Sequence, residues 1–242
     1  MQITDQIRNI MNRCNKGLEG TERVIEVPFL FESLPEPSNQ KVLDIGCCES
    51  DLVVHLNSIG FDVYGIDMRD CKQRNNNITD NIKQKFIIGD VRKMEFQDNI
   101  FDIVYAISTL EHVGLVETPY HTDTIFDEDG DIKALIEMMR VTKPGGKIIF
   151  TVPYGIGENG LKIWQRFYTK DRIQKMIEKT GIVVDKFTYK VHCIDTEKGI
   201  HIWPEVDEKL ASERASIWID NHGAFMASNL GIIGHKENVA YV

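Results

Sequence analysis

The chain has 242 residues, 42% of them hydrophobic, enough to bury one full core but few for two equal domains. A formal net charge of −9 and a sequence pI near 5.3 oppose a broad basic footprint, which speaks against long nucleic acid or an anionic membrane surface as partner. The opening stretch "MQITDQIRNIMNRCNKG" lacks an apolar run of signal-peptide length, and no run of about 18 apolar residues occurs anywhere, so the expectation is a cytoplasmic protein without membrane insertion. Five cysteines (Cys14, Cys47, Cys48, Cys71 and Cys193) without a CxxC pair predict reduced thiols rather than a disulfide framework or structural zinc.

Residues 1–40 lack a βα rhythm, and "TERVIEVPFLFESLP" reads as an amphipathic helix interrupted by Pro28, a helical segment that would cover the site. From residue 41 onward short apolar runs alternate with helical stretches: "KVLDIG", "DVYGID", "KFIIGD", "FDIVYAIS" and "KIIFTVP" are strand candidates. Continuous apolar runs of this kind suit strands covered on both faces, hence a mostly parallel sheet of βαβ units. Three of the runs end at an acid, Asp44, Asp67 and Asp90, and ligands in such sheets sit beyond the carboxyl ends of the strands.

Between the strands, "DLVVHLNSIG" reads as a helix closed by glycine, and residues 114–131, "GLVETPYHTDTIFDEDGD", as a polar insertion long enough to be a functional loop. In "DIKALIEMMRVTKPGG" Ile132, Leu135, Ile136 and Met139 recur at helical spacing until Pro144-Gly145-Gly146 stops the run. "TKDRIQKMIEKTG" predicts a helix with Thr169 as N-cap and Gly181 just past its end. "VDKFTYKVHCID" and "SNLGIIGHKE" suggest a final antiparallel pair, separated by a tryptophan-containing segment of about residues 199–223 on the substrate side. The predicted organisation is therefore a helical cover, 1–40, on a single α/β domain, 41–242.

The loop "VLDIGCCES" poses the functional question. Gly46 can make the tight turn, but Cys48 and Ser50 stand at the next alternate positions, small yet not glycine, so a diphosphate would fit poorly there. By itself the stretch is compatible with a cofactor loop or with an ordinary strand-to-helix turn. A nicotinamide-dependent oxidoreductase would need Gly-x-Gly-x-x-Gly, where this chain has Cys48 and Asp51 at the later glycines. Asp67 ends the second strand at about the interval after the first at which an acid meets ribose hydroxyls.

The ordered set "VLDIGCCES", "VYGIDMRD", "FIIGDVRKMEF", "FDIVYAISTLEHVG" and "MRVTKPGGKIIFTVP", spanning roughly residues 41–153, resembles the class I S-adenosylmethionine-dependent methyltransferases. The resemblance implies a Rossmann-like, mostly parallel seven-stranded sheet with helices on both faces and a C-terminal antiparallel strand pair. It implies S-adenosylmethionine as cofactor and S-adenosylhomocysteine as product. It places Asp44, Gly46, Cys47, Cys48 and Ser50 around the methionine end of the cofactor, Asp67 and Met68 at the ribose, and Asp90 and Val91 at the adenine. Ile107 and Ser108 would border the methyl-transfer position. More narrowly, "ERVIEVPFLFESLP", "STLEHVGL" and "DEDGDIKALIEMMRVTKPGG" look like bacterial methyltransferases found with polysaccharide or secondary-metabolite genes.

Methyl transfer from a sulfonium is an in-line displacement, so the protein aligns a nucleophile, excludes water and removes a proton when the acceptor is a hydroxyl. His112 is the candidate base because imidazole titrates near neutrality, and Glu111 could orient it or serve itself. A role for His112 as a loop anchor stays open. The "LEH" element also occurs in RNA 3′-terminal 2′-O-methyltransferases, whose metal is held by Glu-x-x-Glu-His and a later histidine. Here Ser108 holds the first of those positions and the later histidine is missing, so no metal is expected. The acids of "DEDGD" fail the calcium-loop spacing, since Ile125 stands five residues before Gly130. No Asn/Asp-Pro-Pro-Tyr element follows the fourth strand, which weakens N-methylation. Tyr154, Trp164, Arg166 and Tyr168 could line an acceptor pocket or hold the C-terminal layer. The expected function is O-methylation of a small polar acceptor, such as a sugar hydroxyl in glycan or natural-product biosynthesis. The alternatives are a cofactor-binding regulatory module without catalysis and a metal-assisted RNA 2′-O-methyltransferase.

Overall fold

The computed structural model describes residues 21–71, 79–116, 125–156, 161–162, 165–195, 197–198, 200–214, 217–220, 223–226 and 228–238. The five predicted parallel runs form β1 (Lys41–Ile45), β2 (Asp62–Asp67), β3 (Phe86–Ile88), β4 (Phe101–Ile107) and β5 (Thr142–Pro153). Short strands β6 (Leu161–Lys162) and β7 (Gln165–Arg166) pair with each other. The long β8 (Val183–Val191) is followed by a ribbon of β9 (Cys193–Asp195) and β10 (Ile200–Ile202), then by β11 (Glu205–Val206). A hairpin of β12 (Ile217–Asp220) and β13 (Gly223–Met226) precedes β14 (Ser228–His235).

The main sheet runs β11-β8-β14-β5-β4-β1-β2-β3. The pairs β1 with β2, β1 with β4, β2 with β3 and β4 with β5 are parallel, whereas β14 is antiparallel to both β5 and β8. The sheet thus has eight strands rather than the expected seven. The addition is β11, two residues that pair antiparallel with the outer edge of β8 and lie in the segment read from sequence as a substrate-side region. Strand order reverses between β1 and β4: the chain first builds outward to β3, then returns to build toward β5. The crevice at that reversal is where open α/β sheets bind ligands.

Alternation along each strand explains the two-sided burial. Val42, Ile103, Tyr105 and Ile149 point into one layer, with Leu30 and Phe31 of α1 (Arg23–Ser33) and Leu52 and Leu56 of α2 (Leu52–Ser58). Leu43, Ile45, Val104, Ala106, Ile148 and Phe150 point into the other. That layer is closed by Leu135 and Met138 of a helix over Gly130–Val141 and by Ile173 and Met176 of one over Lys170–Thr180. These two are α4 and α5, since the single turn α3 (Asp80–Lys83) precedes them, and α6 (Glu208–Glu213) ends the helical set. The α5 termini are those predicted: the Thr169 side chain accepts from the Arg172 amide, and Gly181 closes the helix at φ 68°.

Two expectations are corrected. Helix α1 runs unbroken through Pro28, which was expected to interrupt it. Proline there removes one backbone bond to the preceding turn, and burial of Val27, Phe29, Leu30 and Phe31 against the sheet outweighs that loss. The cysteines are not all reduced either: Cys48 and Cys71 form a disulfide with their Cα atoms 5.1 Å apart. Sequence alone separates them by 23 positions, but β1 and β2 are parallel neighbours, so the loops leaving their carboxyl ends meet.

Helix α1 is held closely because Gly231 of β14 leaves room for the Phe29 ring, and a Cβ at that glycine would come within 2.6 Å of it. Gly231→Val should therefore lower stability by about 1–3 kcal/mol through overpacking. Urea denaturation would show this as a lower midpoint with an unchanged slope; an unshifted midpoint would mean that α1 does not bear on that strand.

Candidate functional site

The site is built where β1, β2 and β4 end. Gly46 leaves β1 with φ 78°, and a Cβ there would collide with the Thr109 side chain, so both the turn and the close approach require glycine. Its amide donates to the Ile66 carbonyl at 2.8 Å, while the Thr109 hydroxyl donates to the Ile45 carbonyl at 3.0 Å. Cys47–Glu49 then forms a single 3₁₀ turn that points the Cys48 amide at Asp67, 3.1 Å from Oδ2.

A cavity open to solvent lies against this junction. Of the residues expected at the cofactor, Gly46, Asp67, Met68, Asp90, Val91 and Ser108 line it, and so does His112. Asp44, Cys47, Cys48, Ser50 and Ile107 do not line it: Asp44, Cys47, Cys48 and Ile107 are buried behind the wall. Tyr154, Arg166 and Tyr168, expected at an acceptor pocket, are buried away from the cavity. Arg166 spends its guanidinium on the backbone carbonyls of Val113, just before the insertion, and Asp127, within it. Trp164 lies outside the described residues.

Sequence reading missed Arg23, Glu49, Arg69, Arg92 and Thr109 on the cavity wall. Two of them carried a signal in the sequence, the repeated Asp-x-Arg at the ends of β2 and β3. Arg69 Nε lies 3.2 Å from Asp67 Oδ1, with its NH1 2.5 Å from Glu49. Arg92 is bidentate on Asp90, at 3.0 Å through Nε and 2.6 Å through NH2. Each acid expected to receive cofactor is thus oriented and charge-compensated by the arginine two residues on.

At the inner end Ser108 adopts φ 45°, an uncommon conformation for a residue other than glycine, and is held there by polar contacts. Its amide donates to Thr151 Oγ1 at 3.0 Å and its hydroxyl to Glu26 Oε1 at 2.6 Å. The same Glu26 oxygen accepts from Thr151 at 2.7 Å and Asn229 at 2.8 Å. Beside Ser108, Glu111 is buried with its Oε1 3.9 Å from His112 Nε2. Burial pushes the Glu111 carboxyl up to about 8, and the neighbouring Glu26 adds to the shift.

These features fit the adenosine portion of S-adenosylmethionine: two carboxylates at successive strand ends for ribose and adenine, and a glycine-floored turn for close approach. Among the described residues the group whose donor atoms approach metal-ligand spacing is Cys48, Asp67 and Cys71, and the disulfide occupies two of its three donors.

Residues 43–150, somewhat under half of the chain, match the family described as methyltransferase domain. Over 127 residues, 50% of this chain, the sequence is 29% identical to a sterol 4-C-methyltransferase of Caenorhabditis elegans, of which the match covers 33%. The chain spans a third or less of the length of the curated relatives it matches. A S-adenosylmethionine-dependent methyltransferase of Methanosarcina mazei shares the fold at a TM-score of 0.59 and 16% identity, covering 87% of this chain and 97% of that one. A complex of the Haloferax volcanii Trm112 methyltransferase activator with a methyltransferase aligns over 100% of both chains at a TM-score of 0.57 and 16% identity. Residues 43–150 are thus similar to a methyltransferase domain, and the fold is one shared with S-adenosylmethionine-dependent methyltransferases, whose cofactor is S-adenosylmethionine.

Asp44 supplies a measurable pH signature of this site. Burial raises its carboxyl from 3.8 to about 8, with the Asp67 charge adding and the Tyr105 hydroxyl opposing. The folded state therefore binds a proton that the unfolded state releases between about pH 4 and 8, and stability falls as pH rises through that window. Asp44→Asn should remove up to about 1.4 kcal/mol per pH unit from the slope there. An unchanged slope in denaturation midpoints across this range would show that Asp44 is ionised in the folded protein.

Proposed function

We propose that the chain transfers a methyl group from S-adenosylmethionine to a small polar acceptor, with a sugar hydroxyl in a glycan or natural-product precursor as the acceptor class. The observation that carries this reading is one cavity lined at the strand ends by Asp67 and Asp90 and further along by Ser108 and His112. When bound, the cofactor supplies an electrophilic methyl on a sulfonium. Asp67 and Asp90 hold its ribose and adenine, releasing Arg69 and Arg92 from their own charge pairs. The constrained Ser108 backbone fixes the wall where acceptor and methyl meet, and His112 takes the proton from the acceptor hydroxyl. Glu111, buried beside it, orients the imidazole.

A second reading, C-methylation, draws on the likeness to the sterol 4-C-methyltransferase. In that case the same base would remove a proton from the carbon framework rather than from oxygen. Incubation with cofactor labelled with ¹³C in its methyl group separates the two, since carbon chemical shift and coupling distinguish a methoxyl from a carbon-bound methyl. A cofactor-binding module would bind and yield no labelled product across an acceptor panel of sugars, phenols and sterols.

Two substitutions test the residue roles. Asp67→Ala should weaken S-adenosylmethionine binding by about 1.5–3 kcal/mol, ten- to over one-hundred-fold, through loss of charge-assisted hydrogen bonds. Calorimetric titration measures this, and an unaltered dissociation constant would remove Asp67 from the ribose. His112→Ala should reduce turnover by about 10²- to 10⁴-fold while cofactor affinity stays near wild type; unchanged turnover would leave His112 as a loop anchor.

A further inference from the structure

The two loops that wall the cavity are joined covalently. Cys48 lies between Gly46 and Glu49, both on the wall, and Cys71 follows Met68 and Arg69, also on the wall. The Cys48 amide donates to Asp67 Oδ2 at 3.1 Å, so the residue that carries the bridge also orients the carboxylate at the ribose position. A third sulfur stands close by, Cys47 Sγ at 3.8 Å from Cys71 Sγ.

We propose that the Cys48–Cys71 bridge is a redox-controlled element of the cofactor pocket: oxidised, it holds the loops after β1 and β2 in the spacing that binds S-adenosylmethionine, and reduced, it lets them separate and weakens binding. The proposal rests on the reading of the cavity as the cofactor pocket. Its physical basis is preorganisation, because a bridge across two loops removes loop ordering from the cost of binding. Reduction by a low-molecular-weight dithiol transfers two electrons: the protein S–S bond breaks, one S–S bond forms in the reagent, and the reagent's two protons end on Cys48 and Cys71. Oxidation by a low-molecular-weight disulfide reverses this, with the two protons and two electrons passing to the reagent as two thiols.

Cys47 does not scramble the pairing. It is 1% exposed, and burial, followed by the charges of Asp44 and Asp67, pushes its thiol far above the ordinary range, so it stays protonated and a poor nucleophile. The bridge and the cofactor then regulate each other reciprocally, since whatever factor the bridge adds to cofactor affinity the cofactor adds to the bridge's resistance to reduction.

The test uses the whole chain, equilibrated with glutathione disulfide or with dithiothreitol, and S-adenosylhomocysteine as the calorimetric probe. Cleavage by trypsin after Arg69 leaves Cys48 and Cys71 on separate peptides, so mass spectrometry with fragmentation reports whether they are joined and whether Cys48 rather than Cys47 is the partner. Binding should weaken at least tenfold on reduction. Saturating probe should shift the midpoint potential of the bridge about 30 mV more negative for each tenfold difference. Cys71→Ser should bind like the reduced wild type under both conditions. Equal finite affinity in the two redox states, or no Cys48–Cys71 peptide after oxidation, overturns the proposal and leaves the cofactor reading intact. Absence of binding in both states removes the cofactor reading and the proposal together.

Discussion

The site depends on the approach of the Gly46 backbone to the Thr109 side chain. That contact needs a residue without Cβ at φ 78°, and it lets one threonine hydroxyl reach the carbonyls of Ile45 and Ile107 at 3.0 and 3.1 Å. The Gly46 amide at Ile66 adds the end of β2, so the carboxyl ends of three strands are tied at the point where strand order reverses. Part of the cavity wall is placed from this knot: the 3₁₀ turn that aims the Cys48 amide, the carboxylate it meets on Asp67, and the start of the turn carrying His112. Later glycines in such a loop serve a diphosphate by letting several amides converge. A ligand without a diphosphate, such as the proposed S-adenosylmethionine, makes no such demand, so one glycine at the turn followed by cysteines is compatible with it.

The wall at Ser108 is organised by a different constraint, a carboxylate buried among two hydroxyls and an amide. Glu26 sits on α1 and is 1% exposed, yet a single oxygen of it accepts from Ser108, Thr151 and Asn229. An acid taken so far from water is costly unless its lone pairs are filled, and donors so buried are costly unless they have an acceptor. The network satisfies the three donors and one oxygen of the acid, the other oxygen facing the Arg23 guanidinium at 3.5 Å, and it fastens α1 to the ends of β4, β5 and β14. Arg23 on the same helix reaches the Ile107 carbonyl at 3.2 Å and lines the cavity. The N-terminal helix is consequently part of the wall beside Ser108, joined to it by polar contacts as well as by the apolar packing of Phe29 and Leu30.

The sheet and the acids that line the cavity were legible in the sequence because both are local signals. An apolar run ending in an acid, as at Asp67 and Asp90, needs only the strand to be recognised. The reach of α1 through Pro28 was not legible, because the burial that outweighs a lost backbone bond is tertiary. Nor was the bridge between Cys48 and Cys71, which exists only once β1 and β2 lie side by side. Tyr154, Arg166 and Tyr168, left open between an acceptor pocket and the C-terminal layer, could not be assigned from sequence for a related reason. Aromatic and arginine side chains after a strand suit a pocket or a core equally, and only the fold shows Arg166 consumed by the Val113 and Asp127 carbonyls. The arginines at positions 69 and 92 are the opposite case, since Asp-x-Arg occurs at two successive strand ends and could have been read.

Those arginines bear on how a glycine-poor site binds at all. Without a second charge, Asp67, with a side chain 9% exposed, would carry its ionisation alone inside the wall. Arg69 compensates it there while also reaching Glu49, whose side chain is 38% exposed, and Arg92 similarly spans Asp90 and Asp127. A ligand group that engaged Asp67 or Asp90 would not strand a guanidinium, because each arginine has a second carboxylate, Glu49 or Asp127. Under the proposed function, recognition falls to two carboxylates, each paired with an arginine, rather than to the glycines of the first loop.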